Sequence, residues 1–549
     1  MKKDKDNQIK DILNKCKESA PLVEALNMYR NSNKNSFHVP GHKNGQAYKH
    51  TESAGFLSQV MSVDVTEITG TDDLHHPEGV ILEAQVLAAS CFGAEESFFL
   101  VGGSTVGNLA MILTVCTHPG DILLVQRNVH KSVLNGLMLA GARAVFLQPQ
   151  IDSISGLAVA PTPSGVEAAL NAYPEAKGVF ITMPNYHGMG TDLTPIAEIC
   201  HRQGIPLLVD EAHGAHYGQH PELPGHALSC GADVVVQSTH KMLSALTMGA
   251  MLHVQGSRIN RDLLRQRLAM VQSSSPSYPV MASLDLARRQ LHVLGAEAFT
   301  AGLAAVNTLK RGLAELPRFK LLQPVVQQQT TAADVAAYAS TGRDLFPAEP
   351  DQAGAYTTQD PFKVVIYDDA GVLSGYELQQ QLEAHGCVPE MSDEQFVVLL
   401  FSLGSTLDDT RRLLDALRRI DEDVSSSPLK GDRRTIDTAF KSHAGEFSTW
   451  NNFNELQISE PVTFNLQPVK EIEVEAISIS DCAGRVAAEM IIPYPPGIPL
   501  IYAGERICNE MAVQLKRLAM AGAKCHGTAD LQLQTVRVFK NHISQEEDI

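Results

Sequence analysis

An α/β fold with a mostly parallel central sheet is what this 549-residue sequence predicts. Three observations carry that prediction. Short apolar runs recur between residues 97 and 254, rich in Val, Ile, Leu and Phe on both parities. Strands buried on both faces read this way. Amphipathic stretches separate most of the runs, and strand–helix alternation builds a parallel sheet with helices on both faces. Turn residues close the runs, which keeps each one at strand length.

The elements follow in order. Residues 1–36 read as a helical arm: Ile9, Ile12, Leu13 and Cys16 recur at helical spacing, and Pro21 precedes a second helix over 22–30. The strands are SFFLV (97–101), ILLVQ (122–126), AVFLQ (144–148), GVFIT (178–182), PLLVD (206–210), DVVVQ (233–237) and AMLHV (250–254). Helices are expected over 106–117, 131–141, 164–172 and 194–203. Residues 257–317 read as one long helical stretch that completes a large domain, 37–317. FKVVIYD (362–368) and QFVVLLFSL (396–404) flank a helix at 375–385, giving a smaller α+β domain over 318–425. Within it, 326–361 is rich in Gln, Thr, Ala and Asp and reads as an insertion. The polar EDVSSSPLKGDRR (422–434) is a linker to a last α+β domain, 436–549. There is no internal repeat.

Composition narrows the function classes. Apolar residues make up 44% and charged residues 19%, an ordinary globular balance. The formal net charge is −18, which disfavours non-specific nucleic-acid or anionic-membrane binding. The nine cysteines are widely spaced with no C-x-x-C, which argues against a disulfide framework and for a reducing compartment. MKKDKDNQIKDILNK lacks an apolar core, so it does not read as a signal peptide, and no apolar run reaches membrane-spanning length. The expectation is a soluble cytoplasmic protein.

Four segments carry chemistry, each where a strand ends. Ligands of open α/β sheets bind beyond the carboxyl ends of the strands. In VVVQSTHKML (234–243), Lys241 follows Ser238, Thr239 and His240 and is placed to form a Schiff base. The hydroxyls and His240 suit a phosphate; the plain alternative is a solvated lysine at a helix start. In PLLVDEAHGAHYG (206–218), Asp210 ends a strand, and a carboxylate there can pair with the protonated pyridine nitrogen of pyridoxal phosphate. His213 falls beside the same ring. Asp210, His213 and His216 also admit a metal reading, weakened by the missing H-E-x-x-H pattern; no metal is assigned. In SFFLVGGSTVGNLAMI (97–112), Ser104 and Thr105 open a helix after Gly102–Gly103, an anion site by its free N–H groups. Dinucleotide and P-loop glycine patterns are absent. In LLVQRNVHKSVLNGL (123–137), His130 opens a helix and its imidazole suits stacking on a flat ring. Each segment alone is ambiguous. Their order (phosphate turn, stacking His, strand-end Asp, Schiff-base Lys) is not.

The sequence resembles the ornithine/lysine/arginine decarboxylase family, within the aspartate-aminotransferase-like type I fold of pyridoxal-phosphate enzymes. The resemblance rests on FHVPGHKNG (37–45), DVTEITGTDDLHHPEGVI (64–81), VGGSTVGN (101–108), NVHKSVLNG (128–136), VDEAHGAH (209–216), STHKMLSALTMGAML (238–252) and YPPGIPLIYAGE (494–505). The first, second and last are not generic to the fold. It is similar in particular to shorter bacterial members without an N-terminal receiver-like wing domain.

The resemblance implies roles. Lys241 would be the Schiff-base lysine, Asp210 the partner of the pyridine nitrogen, and His130 the stacking ring. Ser104, Thr105, Ser238 and His240 would hold the phosphate, and His213 would lie near the ring hydroxyl. Glu67, Asp72 and Asp73, with the Gly41–His42–Lys43 turn, would lie near the entrance of a site shared between dimer partners. One of these carboxylates, or Glu505, would read the cationic end of the substrate. The implied activity is decarboxylation of a basic L-amino acid, arginine ahead of lysine or ornithine, to a polyamine or its precursor, by a homodimer or higher homo-oligomer. Intact Lys241, Asp210 and His130 set aside a non-catalytic relative. An aminotransferase would share the same cofactor shell, because orientation decides which bond breaks.

Overall fold

The computed structural model describes residues 9–10, 12–13, 17–32, 34–324, 355–426, 458–467, 469–494, 497–520 and 522–540. The expected turn of helix through Cys16, the 326–354 part of the expected insertion and the linker beyond 426 lie outside them.

The large domain is built as the apolar runs require. Its strands are β1 (Glu96–Leu100), β2 (Ile122–Gln126), β3 (Arg143–Leu147), β4 (Val179–Thr182), β5 (Leu207–Asp210), β6 (Val234–Gln237) and β7 (Ala250–Val254). Nearly every strand residue is buried, which is why alternation is missing from the sequence. The eight-stranded sheet runs β1-β7-β6-β5-β4-β2-β3 and ends on β12 (Val462–Thr463). Pairing is parallel from β3 through β6. It is antiparallel at β6–β7, β7–β1 and β3–β12. The parallel centre places the carboxyl ends of β2, β4, β5 and β6 on one rim. β12, an edge strand from beyond the linker, had no signal in the sequence.

Helices cover both faces. On one lie α3 (Gly103–Val115), α4 (Lys131–Ala140) and α7 (Arg261–Val271), packed through Met111, Ile112, Leu134 and Leu264. On the other lie α5 (Pro163–Ala172) and α6 (Thr194–Arg202), packed through Val166, Leu170 and Ile196. Gly107 lets α3 rest on β6: a Cβ there would meet Val236 Cγ2 at 2.4 Å. The expected single helical stretch over 257–317 is instead α7, α8 (Tyr278–Leu294), a 3-10 turn and α9 (Thr300–Leu313). Ser277 caps α8 through the Val280 N–H, and Gly295 stops it at positive φ, so the chain turns twice. α1 (Pro21–Arg30) docks against α8 and α2 (Val80–Phe92); Asp285, paired with Arg288, accepts the Leu22 N–H at 3.1 Å.

The small domain is an antiparallel sheet in the order β10 (Met391–Ser392), β11 (Val397–Leu400), β9 (Lys363–Asp368), β8 (Phe319–Leu321), backed by α10 (Gly375–Ala384) and α11 (Leu407–Ser426). Its core is continuous with that of α1, α2, α8 and α9. The C-terminal part has its own small core, with β13 (Val474–Ser478) paired to β16 (Thr535–Phe539), β14 (Ile492–Pro493) to β15 (Cys525–His526), and α12 (Asn509–Met520) against them. No helix among the described residues is long and apolar enough to cross a membrane.

Candidate active site

The rim of the parallel strands opens into a cleft of about 490 Å³. Ser104, His130, Asp210, His213 and Lys241 line it, together with Asn128, Thr182, Asn185, Tyr186 and Ile498. Five strand ends and the C-terminal motif thus meet at one place.

Lys241 sits on a single turn, Thr239–Met242, that follows β6 directly. The turn is held at both sides: His240 donates its backbone N–H to Gly249 O at 3.1 Å, and Gly103 donates its own to Met248 O at 2.8 Å. The Lys241 amine lies 3.0 Å from His213 Nε2 and 5.5 Å from the centre of the Tyr186 ring. Burial pushes its pKa down, with Asp210 and then Glu390 pulling the other way. His213 is buried, and burial, then Lys241 and Lys363, hold its ring neutral, well below the ordinary range. Its Nδ1 meets the Lys363 amine at 2.9 Å.

Asp210 ends β5 at 3% exposure. Its carboxylate accepts from Asn108 Nδ2 at 2.8 Å and from the Ala212 N–H at 3.0 Å, both neutral donors. Burial raises its pKa. Asn108 also donates to Ser132 Oγ at 2.9 Å, and Ser132 Oγ lies 2.8 Å from His130 Nδ1. One chain of contacts therefore joins the carboxylate to the imidazole. His130 caps α4 by accepting the Ser132 N–H. Burial lowers its pKa to about 4.

The residues fit pyridoxal phosphate. A buried carboxylate held by neutral donors is complemented by a protonated pyridine nitrogen, which supplies the missing positive charge. Thr182 Oγ1, on the cleft wall, is buried without a hydrogen-bond partner. At the other end Ser238 Oγ and Ser104 Oγ meet at 2.9 Å, at the start of α3, whose N-cap Gly102 offers no side chain to its free N–H groups. That is a site for an anion. Thr105 stands exposed on the first turn, and His240 points Nδ1 at Gly249 O. His130 and Lys241 reach the same cleft, and ring and amine are the groups that such a cofactor needs.

The entrance carboxylates are a different matter. Asp72 accepts N–H groups of Asp73, Glu78, Gly79 and Ile81 and so holds the start of α2; it is a fold-building residue. Asp73 accepts the His75 N–H, and Glu67 is exposed. Within one chain none of the three lines the cleft. His42 turns to Asp64 at 3.1 Å. Glu505 is corrected outright: its carboxylate is bound to Arg127 at 2.7 Å, with both side chains 2% exposed. The alternative metal triad is dispersed too, since His216 pairs with Asp360 at 3.0 Å, both fully buried.

Sequence reasoning missed Asn108, Ser132, Tyr186 and Lys363. Asn108 and Ser132 lie inside motifs already singled out, four residues after Ser104 and two after His130. Tyr186 had a signal: NYHGMG (185–190) follows the GVFIT strand as the other motifs follow theirs. Lys363 had none, because it opens a small-domain strand 122 residues after Lys241.

The family model described as "Orn/Lys/Arg decarboxylase, major domain" matches residues 20–409, and "Orn/Lys/Arg decarboxylase, C-terminal domain" matches 455–527. The chain is 40% identical over 527 residues to "Uncharacterized protein YaaO" of Bacillus subtilis (strain 168), covering 95% of this chain and 98% of that one. It is 32% identical to the "Arginine decarboxylase" of Bacillus anthracis, covering 95% and 97%. The solved constitutive lysine decarboxylase of E. coli superposes with a TM-score of 0.72 at 22% identity, over 95% of this chain and 82% of that one, a likeness of fold.

Proposed function

This chain belongs to the Orn/Lys/Arg decarboxylase family and is a pyridoxal-phosphate-dependent amino acid decarboxylase of the type I fold; from that premise we propose that its substrate is L-arginine. The products would be CO2 and agmatine, an amine that feeds polyamine synthesis. The observation that carries the reading is one cleft lined by Lys241, His213, His130, Asp210 and Ser104, in a chain 32% identical to an arginine decarboxylase along nearly the whole of both.

When bound, pyridoxal phosphate supplies the electron sink for the pair left behind as a bond at the substrate α-carbon breaks. The protein's own residues do the rest. Asp210 would hold a proton at the pyridine nitrogen, with Asn108 keeping its carboxylate in place. His130, tied to Ser132, would cover one face of the ring. Ser104 and Ser238, with the α3 N–H groups, would fix the phosphate and so the ring's orientation. Lys241 supplies the amine, and Tyr186 lies over that amine. Thr182, Pro184 and Ile498 complete the cleft wall, and a carboxylate that leaves as neutral CO2 gains from a less polar site.

Among the described residues lining the cleft, Asp210 is the carboxylate, and it is committed. A guanidinium therefore needs a carboxylate from beyond the lining, and it favours a planar bidentate one. Glu390, exposed, is one candidate, since its charge acts on Lys241, Lys363 and Tyr186. A second copy of the chain is the other source. Phe37, Val39 and Phe56 are large apolar side chains left exposed within one chain, of the kind that a second copy would cover, and we take the working unit to be a homodimer.

The test is CO2 release from L-arginine, L-lysine and L-ornithine in parallel, with the product amine identified by mass. Agmatine as the preferred product supports the proposal. Cadaverine or putrescine in its place would move the substrate and leave the reaction class standing. Pyridoxamine formation without CO2 would overturn both.

A further inference from the structure

The small domain sends one charged side chain into the large domain's site. Lys363 opens β9, is 2% exposed, and brings its amine to 2.9 Å from His213 Nδ1. Its entry is built in. Gly188, in the loop after β4, lies against the Lys363 side chain so closely that a Cβ would meet Lys363 Cβ at 2.5 Å. Lys363 does not line the cleft; the His213 ring lies between its amine and that of Lys241, at 2.9 and 3.0 Å.

A neutral imidazole has one N–H and one lone pair. An ammonium has donors and no acceptor. Two ammonium groups therefore cannot both be satisfied by this ring. One must donate to it, and the other must be a free amine that accepts from it. The charges around the two lysines decide which. Lys363 faces Asp360, Glu390, His213 and Lys241; Lys241 faces Asp210, Glu390, His213 and Lys363. Asp360 stays close, through a Lys363 N–H donated to its own carbonyl at 3.1 Å. The Asp210 carboxylate is already held by the Asn108 amide and the Ala212 N–H, with or without cofactor, which leaves Lys241 the poorer in counter-charge. Burial lowers Lys363 to about 8, with Asp360 and then Glu390 pulling the other way.

We propose that Lys363 is a positioning residue: donating to Nδ1 of His213, it fixes the ring with its proton on Nε2, aimed at Lys241, and so keeps the Lys241 amine unprotonated and nucleophilic. This deepens the decarboxylase reading, resting on Lys241 as the lysine that carries the cofactor. It also gives the small domain a part in the chemistry, since its packing sets the distance from Lys363 to the ring.

The experiment uses the full-length protein freed of cofactor, with no substrate. The rate of acetylation of Lys241 by acetic anhydride is followed by peptide mass spectrometry across the range in which lysine amines titrate. In Lys363→Met the apparent pKa of Lys241 should rise by about one unit or more, because the ring is then free to accept from a Lys241 ammonium. An unchanged pKa in a folded variant overturns the proposal. In parallel, 15N shifts of histidine-labelled wild-type protein, with His213 assigned by its loss in His213→Gln, read the tautomer directly. A ring protonated on Nε2 supports the proposal, and one protonated on Nδ1 overturns it, even if Lys363→Met does not fold. Neither readout involves arginine, so a wrong substrate leaves both interpretable.

Discussion

Arg127 and Glu505 form an ion pair at 2.7 Å with both side chains 2% exposed, and they join the end of β2 to the C-terminal motif. The guanidinium also donates to Pro499 O at 3.0 Å and Leu500 O at 3.1 Å and lies 4.6 Å from the Tyr502 ring centre. Three residues on from Arg127, His130 meets the same motif at Gly497. The pair thus clamps the C-terminal part against the residue expected to cover the cofactor.

A buried pair costs most when it is broken on one side, because the remaining charge stays buried and unpaired. Glu505→Ala should lower stability by about 3–5 kcal/mol. Arg127→Met combined with Glu505→Leu should recover much of that loss. Urea melts of the single and double variants check it; a double variant no better than the single would mean that the carbonyl contacts of Arg127, not the charges, hold the clamp.

Gly497 has φ +87°, and a Cβ on it would lie 3.1 Å from two atoms of the His130 ring. Gly497→Ala should cost roughly 1 kcal/mol of stability through the backbone. It should also weaken cofactor retention by tilting the ring. Dialysis followed by absorbance at the visible edge measures that; full retention would show that His130 does not cover the ring.

Lys241→Ala should abolish both the visible cofactor absorbance and CO2 release. Turnover surviving in the variant would remove Lys241 from the chemistry. The apo protein should keep its melting temperature, since the amine contacts one buried imidazole and no core side chain is lost.

Asp210→Asn keeps the shape and removes the charge. We expect the cofactor still to attach, with the rate down on the order of a hundredfold or more, as when one preorganised electrostatic group is removed from a site. A near wild-type rate would place the pyridine partner elsewhere.

His253 lies fully buried between β1 and β6, with Nδ1 2.7 Å from Ser97 Oγ and Nε2 3.2 Å from Gln237 Oε1. Burial lowers its pKa to about 3. The unfolded histidine binds a proton below its ordinary pKa and the folded one does not, so stability falls as pH drops from about 6.5 towards 3. Between neutral pH and about pH 5 this residue should account for on the order of 2 kcal/mol. His253→Gln should flatten that part of the pH dependence in urea midpoints. An equal slope in both proteins would contradict a neutral buried ring.

Much of the site was legible because its chemistry sits on short motifs behind strands. A strand that is apolar on both parities states its own burial, and the residue after it lies on the rim whatever the rest of the chain does. That is why Lys241, Asp210, His130, His213 and Ser104 were found from sequence and line one cleft. Asp72 and Glu505 show the opposite case. A carboxylate in a family-like motif reads as a substrate ligand until its partners are known, and here those are the N–H groups ahead of α2 and the Arg127 guanidinium.

The sequence by itself determined the α/β class, the order of the strands along the chain, the family resemblance and the residue types at the rim. These depend on local periodicity and on side-chain chemistry within a few residues. Tertiary structure alone decided that β12 closes the sheet edge, that Asn108 and Ser132 tie Asp210 to His130, and that Lys363 meets His213. Those relationships join groups 24 to 320 residues apart. Such pairs are chosen by how whole layers pack, and no local spacing encodes them.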